Sequence, residues 1–281
     1  MRIRRPCSGP PFSTSHDRDP YNRNCHSVYR RKRGQGKAAT MKPVVALMMQ
    51  YSETVPGAFD IDPGYLRLLE FAGANVLTVD PSDDDDYLMA MLDRADGLLI
   101  PGGNDIDPAL YGGVALPGMD EPVPLRDHAE ATLLRAAYER HMPYLGICRG
   151  LQMMCVLAGG DLYQQISHDV PGALDHWQKT PFAEPSHDVR ILPGTPLHRI
   201  LGRESLPVNS VHHQAVHKAG DGVEIQATAP DGVIEAVYRP DRAFFMGVQW
   251  HPEQTPSDEP SGRLARAFAA ACDEYRQSSK S

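Results

Sequence analysis

Three residues define the chemistry this chain could do: a cysteine, a histidine and a glutamate. Cys148 lies in Gly146-Ile147-Cys148-Arg149-Gly150, between a short apolar run and an apolar helical stretch closed by Gly159-Gly160. Glycine at −2 and +2 of a cysteine between strand and helix is the layout of a nucleophile elbow. The turn forces an awkward backbone on its central residue, and only glycine leaves room for the chain to fold back beside it. The helix that follows directs its positive end and free N–H groups at the sulfur, which favours thiolate over thiol. A buried structural thiol fits the same glycines, so the functional reading depends on a base.

His251 is the candidate base among twelve histidines, most of which lie in loops or on faces suited to a surface role. It follows the apolar run Phe244 to Trp250, is held by Pro252, and has Glu253 two positions on. Glu253 can accept from one ring nitrogen while the other faces the cysteine, the Cys-His-acid form of the triad. Gln152 lies one helical turn after Cys148 on the same face, where it could shape the pocket or simply pack. The turn Pro101-Gly102-Gly103-Asn104-Asp105 follows the apolar run Gly97 to Ile100. At the carboxyl end of a parallel strand its N–H groups would enter the crevice where such sheets bind ligands, as oxyanion donors; a plain structural turn reads equally well. Neither GxxxxGK[ST] nor GxGxxG occurs, so it is not a phosphate loop.

The elements needed to position these residues are periodic from Pro43 onward. Val44 to Met49 is a continuous apolar run, as expected of a buried parallel strand. Pro63 starts a helix through Tyr65, Leu68, Leu69 and Phe71 that Gly73 stops. Asn75 to Val79 and Gly97 to Ile100 are the next strands, and Asp83 to Asp86 opens a solvated helix where acids suit the dipole. Asp127 to His141 is an amphipathic helix leading into the strand before Cys148. Strand and helix alternate at the spacing of right-handed crossovers, which predicts an α/β fold with a doubly wound, mostly parallel central sheet and flanking helices. Residues 161–186 read as loop. Short alternating strands follow at Val189 to Leu192, Val223 to Ala227, Ile234 to Tyr238 and Phe244 to Trp250, a small antiparallel extension. Gly262 to Tyr275 is helical.

Composition narrows the class. At 281 residues the chain could hold one large α/β domain or two small ones. With 41% apolar residues and no apolar run near the roughly 18 residues that span a bilayer, it reads as a soluble globular protein. The net charge of −8 hides a split: residues 1–40 hold ten basic and two acidic residues, a net +8, leaving −16 on residues 41–281. An acidic body argues against nucleic acid as the main partner. Residues 1–40 lack apolar periodicity and read as a disordered basic extension, with the folded domain over 41–281. The leader has no apolar centre, so it is not a secretory signal. Five scattered cysteines (Cys7, Cys25, Cys148, Cys155, Cys272) predict free thiols in a reducing, cytoplasmic setting. Cys155, seven residues after Cys148 in the apolar helix, reads as a buried thiol. No CxxC or compact Cys/His cluster occurs, and Cys7, His16, Cys25 and His26 are too irregular to count, so neither a metal nor a cofactor is expected.

GICRGLQ, PGGNDIDPALYG, VNSVHHQAV and GVQWHPE stand in the order and spacing of class I glutamine amidotransferase domains. More narrowly, the chain resembles the gamma-glutamyl-gamma-aminobutyrate hydrolase family, peptidase family C26, over roughly Pro43 to Cys272. Residues 1–40 have no counterpart in that pattern. The resemblance implies the flavodoxin-like amidotransferase fold, Cys148 as nucleophile, His251 as general base and acid, and Glu253 as the histidine's orienter. It implies an oxyanion hole from the backbone N–H groups of Gly103 and Arg149, and it sets Ser210, His212 and Gln214 beside the substrate's amino-acid end, where packing is the rival role for each. His176 could reach the pocket from the 161–186 loop. The implied reaction cleaves a γ-glutamyl amide of a small amine, γ-glutamyl-GABA or a γ-glutamyl-polyamine intermediate of polyamine catabolism, through a thioester. The alternative is a glutaminase subunit delivering ammonia to a separate synthase partner. The partner expected is thus a small-molecule substrate, not nucleic acid or membrane, and a homodimer is compatible with the sequence. Loops around 51–62, 104–125 and 161–186 are expected to set the amine.

Overall fold

The computed structural model describes residues 41–52 and 54–279, and the basic extension expected over residues 1–40 lies outside them. The first half of the folded body alternates as its apolar periodicity requires. The strands are β1 (Val44–Met48), β2 (Gln50–Tyr51), β3 (Phe59–Asp60), β4 (Asn75–Val79), β5 (Gly97–Ile100) and β6 (Tyr144–Ile147). The helices among them are α1 (Pro63–Ala72), α2 (Asp85–Leu92) and α3 (Pro124–Glu139), and α4 (Arg149–Leu157) follows β6 directly. The second half adds β7 (Asp161–Tyr163), α5 (Ile166–Asp169), β8 (His187–Ile191), α6 (Pro196–Leu201), β9 (Ser205–Val208), β10 (Ala215–Lys218), β11 (Glu224–Thr228), β12 (Ile234–Tyr238), β13 (Phe245–Val248) and α7 (Glu259–Ser279).

Nine strands form one sheet in the order β4-β1-β5-β6-β13-β12-β11-β8-β9. From β4 to β13 the neighbours are parallel, and from β13 to β9 they are antiparallel. The antiparallel extension is therefore continuous with the parallel part. β10 pairs with β7, and β2 with β3, in separate two-stranded ribbons.

Strand periodicity sends alternate residues to opposite faces, so a strand covered on both sides must be apolar throughout. In β1, Val45 and Leu47 enter a core with Leu68 and Leu69 of α1, Leu197 of α6 and Phe268 of α7. Ala46 and Met48 enter the opposite core with Leu88 of α2, Leu133 of α3 and Met153 of α4. α1 begins as its sequence demands: Asp62 accepts from the Gly64 N–H at 2.6 Å, Pro63 fills the first helical position, and Gly73 ends the helix at φ 83°.

The structure departs from the expected elements where polar residues are buried or strands are short. α3 starts at Pro124, earlier than Asp127, because Arg126 and Asp127 are themselves buried in the helix and paired. The 161–186 stretch contains β7 and α5, and β9, β10 and α6 lie where no element is expected. Three- and four-residue segments such as β7 and β10 leave too little alternation to read; each exists because the other is there to pair with it. Among the described residues no helix is long and apolar enough to cross a membrane.

Candidate active site

The parallel strands β5, β6 and β13 end side by side, and the residues just beyond them form one wall of a cavity of about 440 Å³. Cys148 follows β6 with φ 51° and ψ −102°, one of two described non-glycine residues at positive φ. A non-glycine residue there costs of order 1–3 kcal/mol and persists only where its surroundings dictate it. Both flanking glycines are required by space. A Cβ on Gly146 would lie 2.5 Å from the Gly150 carbonyl carbon, and one on Gly150 would strike the Ile100 carbonyl oxygen. The Cys148 N–H donates to the Val248 carbonyl of β13 at 2.8 Å, which ties the elbow to the strand leading to His251.

His251 lines the same cavity, with its side chain 14% exposed. Its Nδ1 lies 2.6 Å from Glu253 Oε1, and Glu253 is buried on a 3₁₀ turn at Pro252–Gln254. A carboxylate only accepts, so Nδ1 carries the proton in the neutral ring and Nε2 presents its lone pair. That Nε2 has no hydrogen-bond partner among the described residues. Burial works against charge on the imidazole, but Glu253 and the Cys148 sulfur outweigh it and hold the pKa well above its ordinary value. Gly102 lies between the two groups: a Cβ there would be 2.9 Å from His251 Cε1 and 3.5 Å from Cys148 Cβ.

Three supports of this arrangement were not read from the sequence. Asn209 holds the backbone of His251 at both ends, its Oδ1 accepting from the His251 N–H at 2.8 Å and its Nδ2 donating to the His251 carbonyl at 2.9 Å. Tyr65 of α1, read only as part of a helix, accepts the Gly102 N–H on its hydroxyl at 2.9 Å. Burial, with Glu253 beside it, pushes that phenol's pKa far up and keeps it neutral.

The third support is a buried charge network. Arg126 Nε bonds Glu130 Oε1 at 2.6 Å, and Arg149 Nη2 bonds Asp127 Oδ1 at 2.5 Å, with its Nε 3.0 Å from Glu130 Oε2. The outer faces of both guanidinium groups hold the Gly-Gly turn. Arg126 Nη2 donates to the Gly102 carbonyl at 2.7 Å, and Arg149 Nη1 donates to the Asn104 carbonyl at 2.8 Å. With those carbonyls drawn toward the arginines, the Gly103 peptide has its N–H free of any protein partner among the described residues. Gly103 itself sits at φ 137°, a conformation for glycine. The Arg149 N–H is the first of α4, among those a helix leaves without an internal partner. Burial lowers the Arg126 pKa, whereas for Arg149 burial is outweighed by Glu130 and Asp127, which raise it.

The three loops expected to shape the pocket all reach it: Tyr51, Asp60 and Asp62 from the first, Asn104, Asp105 and Asp120 from the second, Trp177 and Phe182 from the third. Gln152, His212 and Gln214 also line it. Gln152 Nε2 donates to the Gln214 carbonyl at 3.1 Å and to Gln249 Oε1 at 3.2 Å. Neither polar atom of the Gln214 amide has a partner among the described residues. Burial pushes the His212 imidazole down to about 3, so it is neutral. Ser210 is not brought to the cavity: fully buried, it donates its hydroxyl to the His176 carbonyl at 3.0 Å. His176 is likewise inside the wall, against Asp231. Cys155 and Cys272 are buried thiols whose pKa burial raises.

A thiol on a strained turn, an imidazole with a fixed tautomer, and free N–H groups at Gly103 and at the first residue of the helix after the thiol are the parts that acyl transfer uses. The family model described as Peptidase C26 matches residues 43–253. The Mycobacterium tuberculosis protein Rv2859c is 38% identical over 246 residues, covering 83% of this chain and 76% of that protein. The gamma-glutamyl-gamma-aminobutyrate hydrolase PuuD of Escherichia coli K12 is 34% identical over 198 residues, covering 67% of this chain and 76% of the hydrolase. The glutaminase domain of Trypanosoma brucei CTPS with bound acivicin superposes with a TM-score of 0.55 at 20% identity, covering 81% of this chain and 94% of that domain, a likeness of fold.

Proposed function

The chain belongs to the peptidase C26 family, and from that premise we propose that it hydrolyses the γ-glutamyl amide bond of a small γ-glutamyl-amine through Cys148. The observation that carries the reading is the strained Cys148 at the head of α4, sharing one cavity with the Glu253-held His251 and with Gly103, whose N–H is free.

The thiolate of Cys148 adds to the γ-carbonyl carbon, forming the C–S bond while the carbonyl π pair moves to oxygen. The oxyanion accepts from the Gly103 and Arg149 N–H groups, and one such donor is worth about 2.7–4 kcal/mol. His251, held protonated by its raised pKa, gives its proton to the departing nitrogen as the C–N bond breaks. A γ-glutamyl thioester remains. The neutral imidazole then takes a proton from water, which attacks the thioester carbonyl and releases glutamate and the free thiolate.

Substrate recognition falls to other residues of the cavity lining. The unbonded amide of Gln214 offers an acceptor and a donor to the glutamyl end. Asp105 and Asp120 line the same cavity; Asp105 is paired with His213 at 2.9 Å, so Asp120 is the carboxylate that favours a substrate bearing an ammonium group. The PuuD relative's name identifies a γ-glutamyl-GABA hydrolase, which makes that compound the first to test.

The deciding experiment compares purified wild type and Cys148→Ala on γ-glutamyl-GABA, γ-glutamyl-polyamine intermediates, γ-glutamyl peptides and glutamine, with released glutamate measured by a coupled dehydrogenase. Hydrolysis of a γ-glutamyl-amine that disappears in Cys148→Ala is the expected result. Cleavage of glutamine alone, and only with a partner chain present, would instead identify a glutaminase subunit. Activity that survives Cys148→Ala would remove the mechanism.

A further inference from the structure

Behind the cavity wall, four side chains converge in a way the reaction does not use. Glu235 on β12 is fully buried, and among the described residues neither carboxylate oxygen has a hydrogen-bond partner. Three imidazole nitrogens surround its Oε1: His187 Nε2 at 3.5 Å, His176 Nδ1 at 3.6 Å and His212 Nε2 at 3.7 Å. All three are too far for good hydrogen bonds.

The opposite nitrogen of each ring settles what these atoms present. His176 Nε2 lies 3.0 Å from Asp231 Oδ2, His187 Nδ1 3.3 Å from the Asp188 carbonyl, and His212 Nδ1 3.0 Å from the Gln214 carbonyl. Carbonyl and carboxylate oxygens accept only, so each of those nitrogens carries the proton of its neutral ring. The other nitrogen of each ring therefore aims a lone pair at the carboxylate. Ser210 engages only one of these nitrogens: its hydroxyl lies 3.1 Å from His176 Nδ1 and 3.0 Å from the His176 carbonyl, and it reaches neither His187 Nε2 nor His212 Nε2. Two imidazole nitrogens, of His187 and His212, and both oxygens of Glu235 are thus left in a buried space without partners among the described residues. Burial lifts the Glu235 pKa to about 7, and a proton or a bound cation is what offsets the desolvation cost.

We propose that His176, His187, His212 and Glu235 form a structural binding site for a divalent zinc-class cation. Three imidazoles and one carboxylate suit Zn²⁺ rather than Mg²⁺ or Ca²⁺, which demand oxygen ligands. Tetrahedral zinc with bonds of about 2.0–2.1 Å sets its ligand atoms about 3.3–3.4 Å apart. The separations from Glu235 Oε1 are 3.5 to 3.7 Å. The ligand atoms of His176, His187 and Glu235 all lie within 4.8 Å of one another, and His212 must swing inward to complete the tetrahedron. Asp231 on the far nitrogen of His176 supplies the outer carboxylate that metal-bound histidines typically have. With His212 drawn in as the fourth ligand the coordination shell is closed, so the ion would hold structure and leave no open position for substrate. It joins the 176–178 segment, β8, the 209–214 loop and β12. Trp177, His213 and Gln214 of the cavity wall sit on two of those segments, so the ion fixes the wall that faces the substrate.

The test uses the full chain carrying Cys148→Ser, so that the thiol and His251 cannot together capture metal. The protein is stripped with a chelator, reloaded with zinc chloride, desalted and assayed for metal by mass spectrometry. One zinc per chain is expected, with a raised unfolding temperature and, on cobalt substitution, the intense visible absorption of a tetrahedral site. Glu235→Gln and His187→Asn should each lose the zinc, and Asp231→Asn should weaken it about 10–100-fold. Folding of each variant is checked by circular dichroism. A folded Cys148→Ser protein that retains no zinc overturns the proposal, a result independent of whether any variant folds. Zinc retained equally by Glu235→Gln and His187→Asn overturns it as well.

Discussion

Asn209→Ala tests whether the position of His251 is held by its backbone clamp rather than by Glu253 alone. Asn209 is only 7% exposed, so water does not readily replace what the alanine removes. Three hydrogen bonds go: 2.8 Å from the His251 N–H, 2.9 Å to the His251 carbonyl and 2.8 Å to the Phe182 carbonyl. At a net of about 1 kcal/mol each, stability falls by about 3 kcal/mol. Only two of the three bear on His251. If their contribution is expressed fully in placing the imidazole, the transition state loses about 2 kcal/mol, roughly 30-fold in kcat/KM. Asn209 is not among the cavity-lining residues, so KM should move little and the loss should appear in kcat. Because the 2.6 Å contact to Glu253 survives, the pH profile should keep its shape while its height falls. Steady-state kinetics on the best γ-glutamyl-amine, with urea unfolding in parallel, measures all three quantities. A folded variant with kcat/KM within about threefold of wild type would refute the clamp, since less than 1 kcal/mol would then separate the two. A displaced pH profile would refute the positional account in favour of an electrostatic one.

Gly102→Ala places a methyl 2.9 Å from His251 Cε1, and a shift of the imidazole approaching 1 Å should lower kcat by about 100-fold, measured against a thermal melt that changes much less. Arg149→Met strips the buried Asp127 and Glu130 of a shared partner, so urea titration should show a loss of about 3–5 kcal/mol; less than 1 kcal/mol would mean that the network is dispensable. The raised pKa of His251 makes its protonation a source of stability. That contribution is complete below the unfolded-state value of about 6.5 and is lost as pH rises through the folded-state pKa. The melting temperature should therefore decline from pH about 6.5 upward, and Glu253→Gln should flatten the decline by removing the stabilising carboxylate.

Much of the parallel half was legible because its signals are local. A helix cap such as Asp62-Pro63, a continuous apolar run such as Val44 to Met48, and an elbow whose glycines cannot carry a Cβ each express a constraint met within a few residues of chain. For the same reason Cys148, and the pair His251 and Glu253, stood out before any fold was known. Elements that exist through pairing alone, such as β7 and β10, gave no such signal.

What the tertiary structure decided is which distant polar groups meet. Asp127 opens a helix legible from its amphipathic pattern and Arg126 lies just before that pattern, yet both are buried because Glu130, Arg149 and the 101–104 turn supply their partners. Ser210 belongs to a motif quoted for substrate contact, and its hydroxyl is turned away from the cavity to His176. Asn209, in the same motif, holds the histidine 42 residues later in the chain. Residues 176, 187, 212 and 235 have no metal-site spacing in sequence, and only the approach of β8, β12 and two loops brings their atoms together. Backbone geometry and hydrophobic periodicity are written over short stretches, so the chain alone determines the elbow and its strands. Partnering of buried charge is a long-range constraint, and only the folded sheet determines it.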